Sequence, residues 1–324
     1  MQQLGMGQAV NQALREEMTA DPDVFLAGEG IGLGIHDNPK LPTYGLLKDF
    51  GPGRVRDTPV SEAAIAGLAV GASEAGLKPV VEIMYNPFFT LASDMIVNHA
   101  AKLRYLSGGK SSFPLVVRMK TGAGFGAGCQ HSHNLEAWVA HCPGLKVVMP
   151  ATPADAKGLL KSAIRDPNPV VFIEDMMLYF RPGPVPEEEY LIPIGKAEVK
   201  RPGRDVTVVT WSKMLGVALK AAEQLAEEGI ELEVLDLRTL APLDREAVLA
   251  SVRKTGRLVV LHEAPRTGGF AGEVAAVVME GGVSLKAPLR RVTGPDIPVP
   301  ASPPLERFYI PDEARLIAAV REIL

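Results

Sequence analysis

The arrangement of apolar runs constrains the fold of this chain more than any single motif does. Pro79 to Met84 and Pro114 to Val117 are short apolar runs that follow turn signals, and Leu145 to Met149 and Val170 to Ile173 repeat that character. Apolar residues fall at helical spacing in Met6 to Met18 and again in Asp155 to Ile164. This alternation is the βαβ rhythm of a parallel sheet with both faces covered, since strands buried on two sides are apolar throughout. The rhythm breaks at Arg181 to Pro193, which carries four prolines and the run Glu187, Glu188, Glu189. That stretch reads as an interdomain linker over the surface. The rhythm then restarts, with strands at Val206 to Thr210, Leu232 to Leu237 and Leu258 to His262. Helices are expected at Lys213 to Glu228, Arg245 to Lys254, Gly269 to Met279 and Asp312 to Leu324. The expected fold class is α/β, two open and mostly parallel-sheet domains, with residues 1–180 in the first, a linker at 181–200 and residues 201–324 in the second.

A length of 324 residues suits about two domains and buries a large core without staples. The net charge is −4 and no basic run occurs, which argues against a nucleic-acid-binding surface. Cys129 and Cys142 are too few for a disulfide framework and fit a reducing compartment, the cytoplasm. Met1 to Asn11 lacks a basic segment followed by an apolar stretch, so no signal peptide is expected. The longest run of small apolar residues, Ala63 to Ala72, is about half the length that crosses a bilayer.

Two glycine-rich stretches, Gly28 to Gly34 and Gly122 to Gly128, alternate glycine with other residues. The first fails the dinucleotide fingerprint because Leu33 stands where the third glycine belongs, so Asp49 at a ribose-binding distance carries little meaning. The second matches only the looser form ending in Ala127, with no acidic residue at the required distance. Tight turns and close backbone approach explain both stretches better than a nucleotide site does.

Cys129, His131, His133, His141 and Cys142 form a cluster in sequence. On an extended segment, positions 129, 131 and 133 point to one side, which admits a zinc-dependent hydrolase or a cysteine nucleophile as alternatives. Against zinc stands the lack of any standard ligand spacing. Against the nucleophile stands the poor hydrogen-bond geometry of a thiol and base two residues apart. His133 and His141 read as helix-start or packing residues. His131 reads as functional: it follows a glycine-rich approach and precedes Ser132 and Asn134, expected caps for a helix over Leu135 to Ala140, and imidazole titrates near working pH.

Thr58 and Pro59 look like a helix start, and on spacing alone Glu62 in that first turn is a partner for the helix dipole. The helix itself is nearly free of side chains, with Ala63, Ala64, Ala66, Gly67, Ala69, Gly71 and Ala72. Gly67 and Gly71 share a face that permits close approach of another helix, often across a subunit interface. A lone carboxylate at the mouth of such an interface is partly desolvated and suits proton exchange with a ligand.

These segments resemble the β subunits of the thiamine-diphosphate-dependent 2-oxo acid dehydrogenases, the pyruvate and acetoin dehydrogenase type. The resemblance is carried by Asp57-Thr-Pro-Val-Ser-Glu62-Ala-Ala-Ile-Ala-Gly, Pro79-Val-Val-Glu-Ile-Met84, Ala101-Lys-Leu-Arg-Tyr105 and Gln130-His131-Ser132. Pro143-Gly-Leu-Lys-Val-Val148, Asn168-Pro-Val-Val171 and Leu235-Asp-Leu-Arg-Thr-Leu240 extend it nearly end to end. It implies a pyrimidine-binding domain followed by a transketolase C-terminal-type domain. It also implies that Glu62 hydrogen-bonds the aminopyrimidine of thiamine diphosphate, that Phe88 packs beside that ring and that His131 serves acyl transfer. Leu115, Ala163, Asp166 and Asn168 match a potassium site of some members. The chain reads His131-Ser132-His133 where members mostly read His-Ser-Gln. Gly30 follows Glu29 where many carry a second acidic residue, which puts in doubt an acidic proton path relying on that pair. The segment Ile31 to Pro42 is distinctive. No Gly-Asp-Gly motif for magnesium and diphosphate occurs. The resemblance therefore implies an α subunit that binds both, in an α2β2 heterotetramer serving a lipoyl acyltransferase core. Gln130 and Glu136-Ala137-Trp138 look more like pyruvate and acetoin members than branched-chain ones. A structural subunit without catalytic residues remains the rival reading from another class.

Overall fold

A computed structural model describes residues 1–32 and 38–324. Leu33 and Gly34, the end of the Gly28 to Gly34 loop, lie outside the described residues, as do residues 33–37 of the Ile31 to Pro42 segment. The chain divides into two compact units, residues 1–121 with 138–194 and residues 122–137 with 195–324.

In the first unit a parallel ladder runs Lys146–Val148, Pro169–Asp175, Leu115–Thr121, Lys78–Tyr85, Val24–Gly28, Val55–Asp57. Leu115–Thr121 and Pro169–Asp175 are buried along their whole length, as the apolar runs require. The helices Met6–Ala20 and Pro153–Arg165 bury Val10, Leu14, Leu159 and Leu160 in one core with Leu26, Val116 and Phe172. Thr152 caps the second of these helices by accepting from the Asp155 N–H at 3.1 Å, and Pro153 opens it. The stretch that the sequence presents as a linker is partly structured. Pro182–Val185 pairs antiparallel with Gln2–Gly5, and prolines are tolerated in so short a ladder. Ile192 lies on Gly158, where an added methyl group would have no room.

The second unit holds a five-stranded sheet in the order Arg290–Gly294, Leu258–Pro265, Val206–Thr210, Leu232–Asp236, Glu198–Arg201. The first four strands are parallel, and the polar edge strand Glu198–Arg201 runs antiparallel. Helices Met214–Ala226, Arg245–Thr255, Ala271–Glu280 and Glu313–Arg321 alternate with the strands as the sequence rhythm requires. Asp244 and Asp312 cap two of them through the Ala247 and Arg315 N–H groups.

Candidate active-site residues

Strands Val24–Gly28 and Val55–Asp57 run parallel, and their carboxyl ends carry the first cluster. The chain leaves Asp57 extended: Thr58 donates its N–H to the Gly28 carbonyl at 3.0 Å, and Asp57 accepts from Gly32 N–H at 2.9 Å. The helix begins at Glu62 with Ser61 as N-cap, not at Thr58–Pro59 as the sequence suggests. Proline disfavours helical geometry at the residue before it, which holds Thr58 extended, and the helix forms only after Pro59. Glu62 is thereby the first helical residue. It is 6% exposed, and Glu29 is 8% exposed. Glu29 Oε1 is buried and, among the described residues, accepts no hydrogen bond. Burial, reinforced by the charge of Glu62 and offset in part by Lys120, raises the Glu29 carboxyl above the usual range.

Beneath these two carboxylates lies a buried ionic layer that sequence reasoning missed. Arg118 donates to Glu82 at 2.9 Å and to both oxygens of Glu174 at 2.7 and 2.9 Å. Tyr179 donates to Glu174 at 2.7 Å, and Lys120 pairs with Glu82 at 3.0 Å. Lys120 lies 5.5 Å from the Tyr85 ring, and Phe88 meets Tyr85 edge to face at 6.1 Å. The available signal was a charge set inside an apolar strand, as in Val80-Val81-Glu82-Ile83 and Val116-Val117-Arg118-Met119. Breaking such a buried pair is costly, so the layer fixes the strands under Glu29 and Glu62.

His131 belongs to the second unit. Cys129–Ser132 forms a single helical turn, so positions 129, 131 and 133 are not aligned on one side as an extended segment would align them. Among the described residues no group of three His, Cys, Asp or Glu side chains comes together to hold a metal. Cys129 is exposed. Cys142, in the first unit, donates its thiol to the Trp138 carbonyl at 3.3 Å, and burial raises its pKa. Burial lowers the pKa of His133 below the usual imidazole value. Ser132 ends the helical turn before Glu136–Ala140, and Asn134 donates its side-chain amide to Glu263 at 3.2 Å. Glu136 is buried with Oε2 unpartnered among the described residues, and burial raises its pKa to about 7. His262 stacks on Trp211 at 5.1 Å with both ring nitrogens unpartnered among the described residues, and burial, aided by Arg291, lowers its pKa to about 3.

The four residues of the expected potassium set lie within the first unit. Asn168 donates its N–H and its amide to Asp166 Oδ1 at 2.9 and 3.1 Å, and Ala163 carbonyl accepts from Asp166 N–H at 3.3 Å. Leu115 opens its strand opposite Pro169. Lys146 pairs with the other oxygen of Asp166, so that carboxylate is already neutralised by the chain's own cation.

Comparison with known proteins matches residues 2–181 to the transketolase pyrimidine binding domain and 195–316 to the transketolase C-terminal domain. A solved split-gene transketolase, an inactive beta4 tetramer, superposes with a TM-score of 0.80 at 25% identity, covering 99% of this chain and 98% of that one. Fold and matches together define a transketolase-type chain with a pyrimidine-binding domain followed by a C-terminal domain. The chain is 49% identical over 316 residues to the Arabidopsis thaliana mitochondrial pyruvate dehydrogenase E1 component subunit beta-1, covering 96% of this chain and 86% of that one. It is 43% identical to the Bacillus subtilis acetoin:2,6-dichlorophenolindophenol oxidoreductase subunit beta, covering 99% and 97%. The 2-oxoisovalerate dehydrogenase subunit beta of the same organism is also 43% identical, with 97% of each covered. The chain belongs to the β subunits of the thiamine-diphosphate-dependent 2-oxo acid and acetoin dehydrogenases.

Proposed function

We propose that this chain is the β half of an α2β2 dehydrogenase component that cleaves pyruvate or acetoin and passes the acyl group to a lipoyl acyltransferase core. Branched-chain 2-oxo acids rank second as substrates. The zinc-hydrolase alternative has no support, since no metal-binding group forms around His131 among the described residues. The cytoplasm is the proposed compartment, and among the described residues no helix is long and apolar enough to cross a membrane. The domains are proposed as 1–180 for pyrimidine binding, 181–200 as linker and 201–324 as the C-terminal type.

The observation that carries the reading is the buried carboxylate pair Glu29 and Glu62 with an orphaned oxygen. Burying such an oxygen unpaired is costly, and an aminopyrimidine supplies the missing N–H donor. Thiamine diphosphate, when bound, supplies the nucleophilic carbon and the electron sink for the cleavage. Glu62 and Glu29 would hold the aminopyrimidine, with Glu62 placed to exchange a proton at its ring nitrogen. Phe88 would pack beside that ring. His131 would act as general acid or electrostatic stabiliser in acyl transfer to the lipoyl disulfide. Magnesium and diphosphate belong to the α subunit. A potassium ion at Leu115, Ala163, Asp166 and Asn168 would rest on backbone oxygens, because Lys146 neutralises Asp166.

The isolated chain should bind thiamine diphosphate negligibly and decarboxylate nothing, and adding the α subunit should restore both. Tight cofactor binding by the isolated chain in calorimetry would sink the split-site reading.

A further inference from the structure

The glycine-rich segment Gly122 to Gly128 has no part in the function proposed above, yet two buried carboxylates hold its backbone. Gly122, Gly124, Gly126 and Gly128 take φ of 99, 124, 78 and 72°, where side chains are strained. The turn presents successive N–H groups to one carboxylate. Gly124 N–H donates to Glu306 Oε1 at 2.6 Å, and Gly126 N–H donates to both Glu306 oxygens at 3.2 and 3.1 Å. Such a concavity of amides binds an anion, and here the chain provides its own. Glu263 closes the base of the loop. Its Oε1 accepts from Ala123 N–H at 2.6 Å and from Asn134 Nδ2 at 3.2 Å. Its Oε2 pairs with Lys213, whose ammonium also donates to the Ala123 carbonyl at 2.6 Å.

His131 lies between these holding points, after Gly126 and before Asn134, and its N–H donates to the Gly128 carbonyl at 3.3 Å. We infer that Glu306 and Glu263 are positioning residues for His131, fixing the loop on both sides of the imidazole. The inference rests on the acyl-transfer reading of His131. Charge-assisted bonds to a buried carboxylate are about twice as strong as neutral ones, and glycines lose the most backbone freedom on ordering. Without Glu306 the Gly124 and Gly126 amides lose the carboxylate that receives them, and a displacement of ~1 Å in a catalytic group costs up to about 100-fold in rate.

The test uses the assembled enzyme in two assays: acylation of a free lipoyl domain and reduction of 2,6-dichlorophenolindophenol. Glu306→Ala should lower kcat for lipoyl acylation about tenfold or more, and dye reduction by about twofold or less. Glu306→Gln should recover most of the lipoyl rate, because its amide oxygen still accepts both glycine N–H groups. Hydrogen exchange over residues 122–132 should rise in the alanine variant and not in the glutamine variant. In a His131→Ala background, Glu306→Ala should add little further loss. Full additivity with His131→Ala, or an unchanged lipoyl rate despite faster exchange, overturns the positioning role. Equal loss of both assays in His131→Ala alone overturns the acyl-transfer reading instead.

Discussion

Glu136 makes the second unit sensitive to pH in a direction opposite to the usual carboxylate. Burial raises its pKa from 4.5 to about 7, the nearby Glu263 charge adds to the rise, and the Trp211 indole bonds it and opposes the rise. The folded state therefore keeps the proton that the unfolded chain releases above 4.5. Stability from this group is fully present below pH 4.5, falls as pH rises, and stops falling above about pH 7. With each pH unit worth ~1.4 kcal/mol, the loss across that window is about 3 kcal/mol. Glu136→Gln keeps the shape and removes the titration. The new amide protons are buried and cost a constant amount at every pH, so the slope rather than the absolute stability is diagnostic. Urea unfolding of the chain at pH 5 and pH 8, followed through buried Trp211 with exposed Trp138 replaced by Phe, gives that slope. The variant should lose about 2.5 kcal/mol less than the parent between the two pH values, because part of the loss already falls below pH 5. Parallel profiles would refute the reasoning and mean that Glu136 ionises in the fold.

Other outcomes follow from the same geometry. Glu62→Gln should slow exchange of the cofactor C2 proton in the assembled complex by several kcal/mol of barrier, each ~1.4 kcal/mol being tenfold; wild-type exchange returns Glu62 to a helix-dipole role. His131→Ala should impair lipoyl acylation more than dye reduction, and Glu62→Gln should impair both alike; equal losses in His131→Ala place the imidazole earlier. His262 is held neutral, so its stabilising contribution is present above pH 6.5 and is lost as pH falls towards 3. Unfolding at pH 5 should accordingly take up about one proton fewer in His262→Asn than in the parent, measured by calorimetry in buffers of different ionisation enthalpy.

Strands and helices were legible where burial makes a run uniformly apolar, as in Val206–Thr210 and Leu258–Pro265. Glu198–Arg201 was not, because an exposed edge strand carries charges and reads as loop. Val24–Gly28 and Val55–Asp57 follow the turn signals Asp21-Pro22-Asp23 and Gly51-Pro52-Gly53, but Val55–Asp57 has only three residues, two of them charged, and Val24–Gly28 runs straight into a glycine-rich loop. Thr58–Pro59 misled because proline favours helix starts in general, and only its pairing to Gly28 shows the chain still extended there. The ionic layer of Glu82, Arg118, Lys120 and Glu174 joins strands far apart in sequence, so each charge taken alone looked like an interruption. The holding role of Glu263 and Glu306 had no local signature, since their partners lie 140 and 182 residues earlier.

That separation has a temporal side during synthesis. The ribosome makes the glycine turn and His131 early, but Glu306 emerges 182 residues after Gly124. At ~5–20 residues per second, the wait is roughly 10–35 s. For that interval the nascent chain exposes a run of ordered-only-when-paired amides with no carboxylate to receive them. The strands around Glu62 are complete sooner, so the growing polypeptide gains the setting of one proposed catalytic group well before it secures the other.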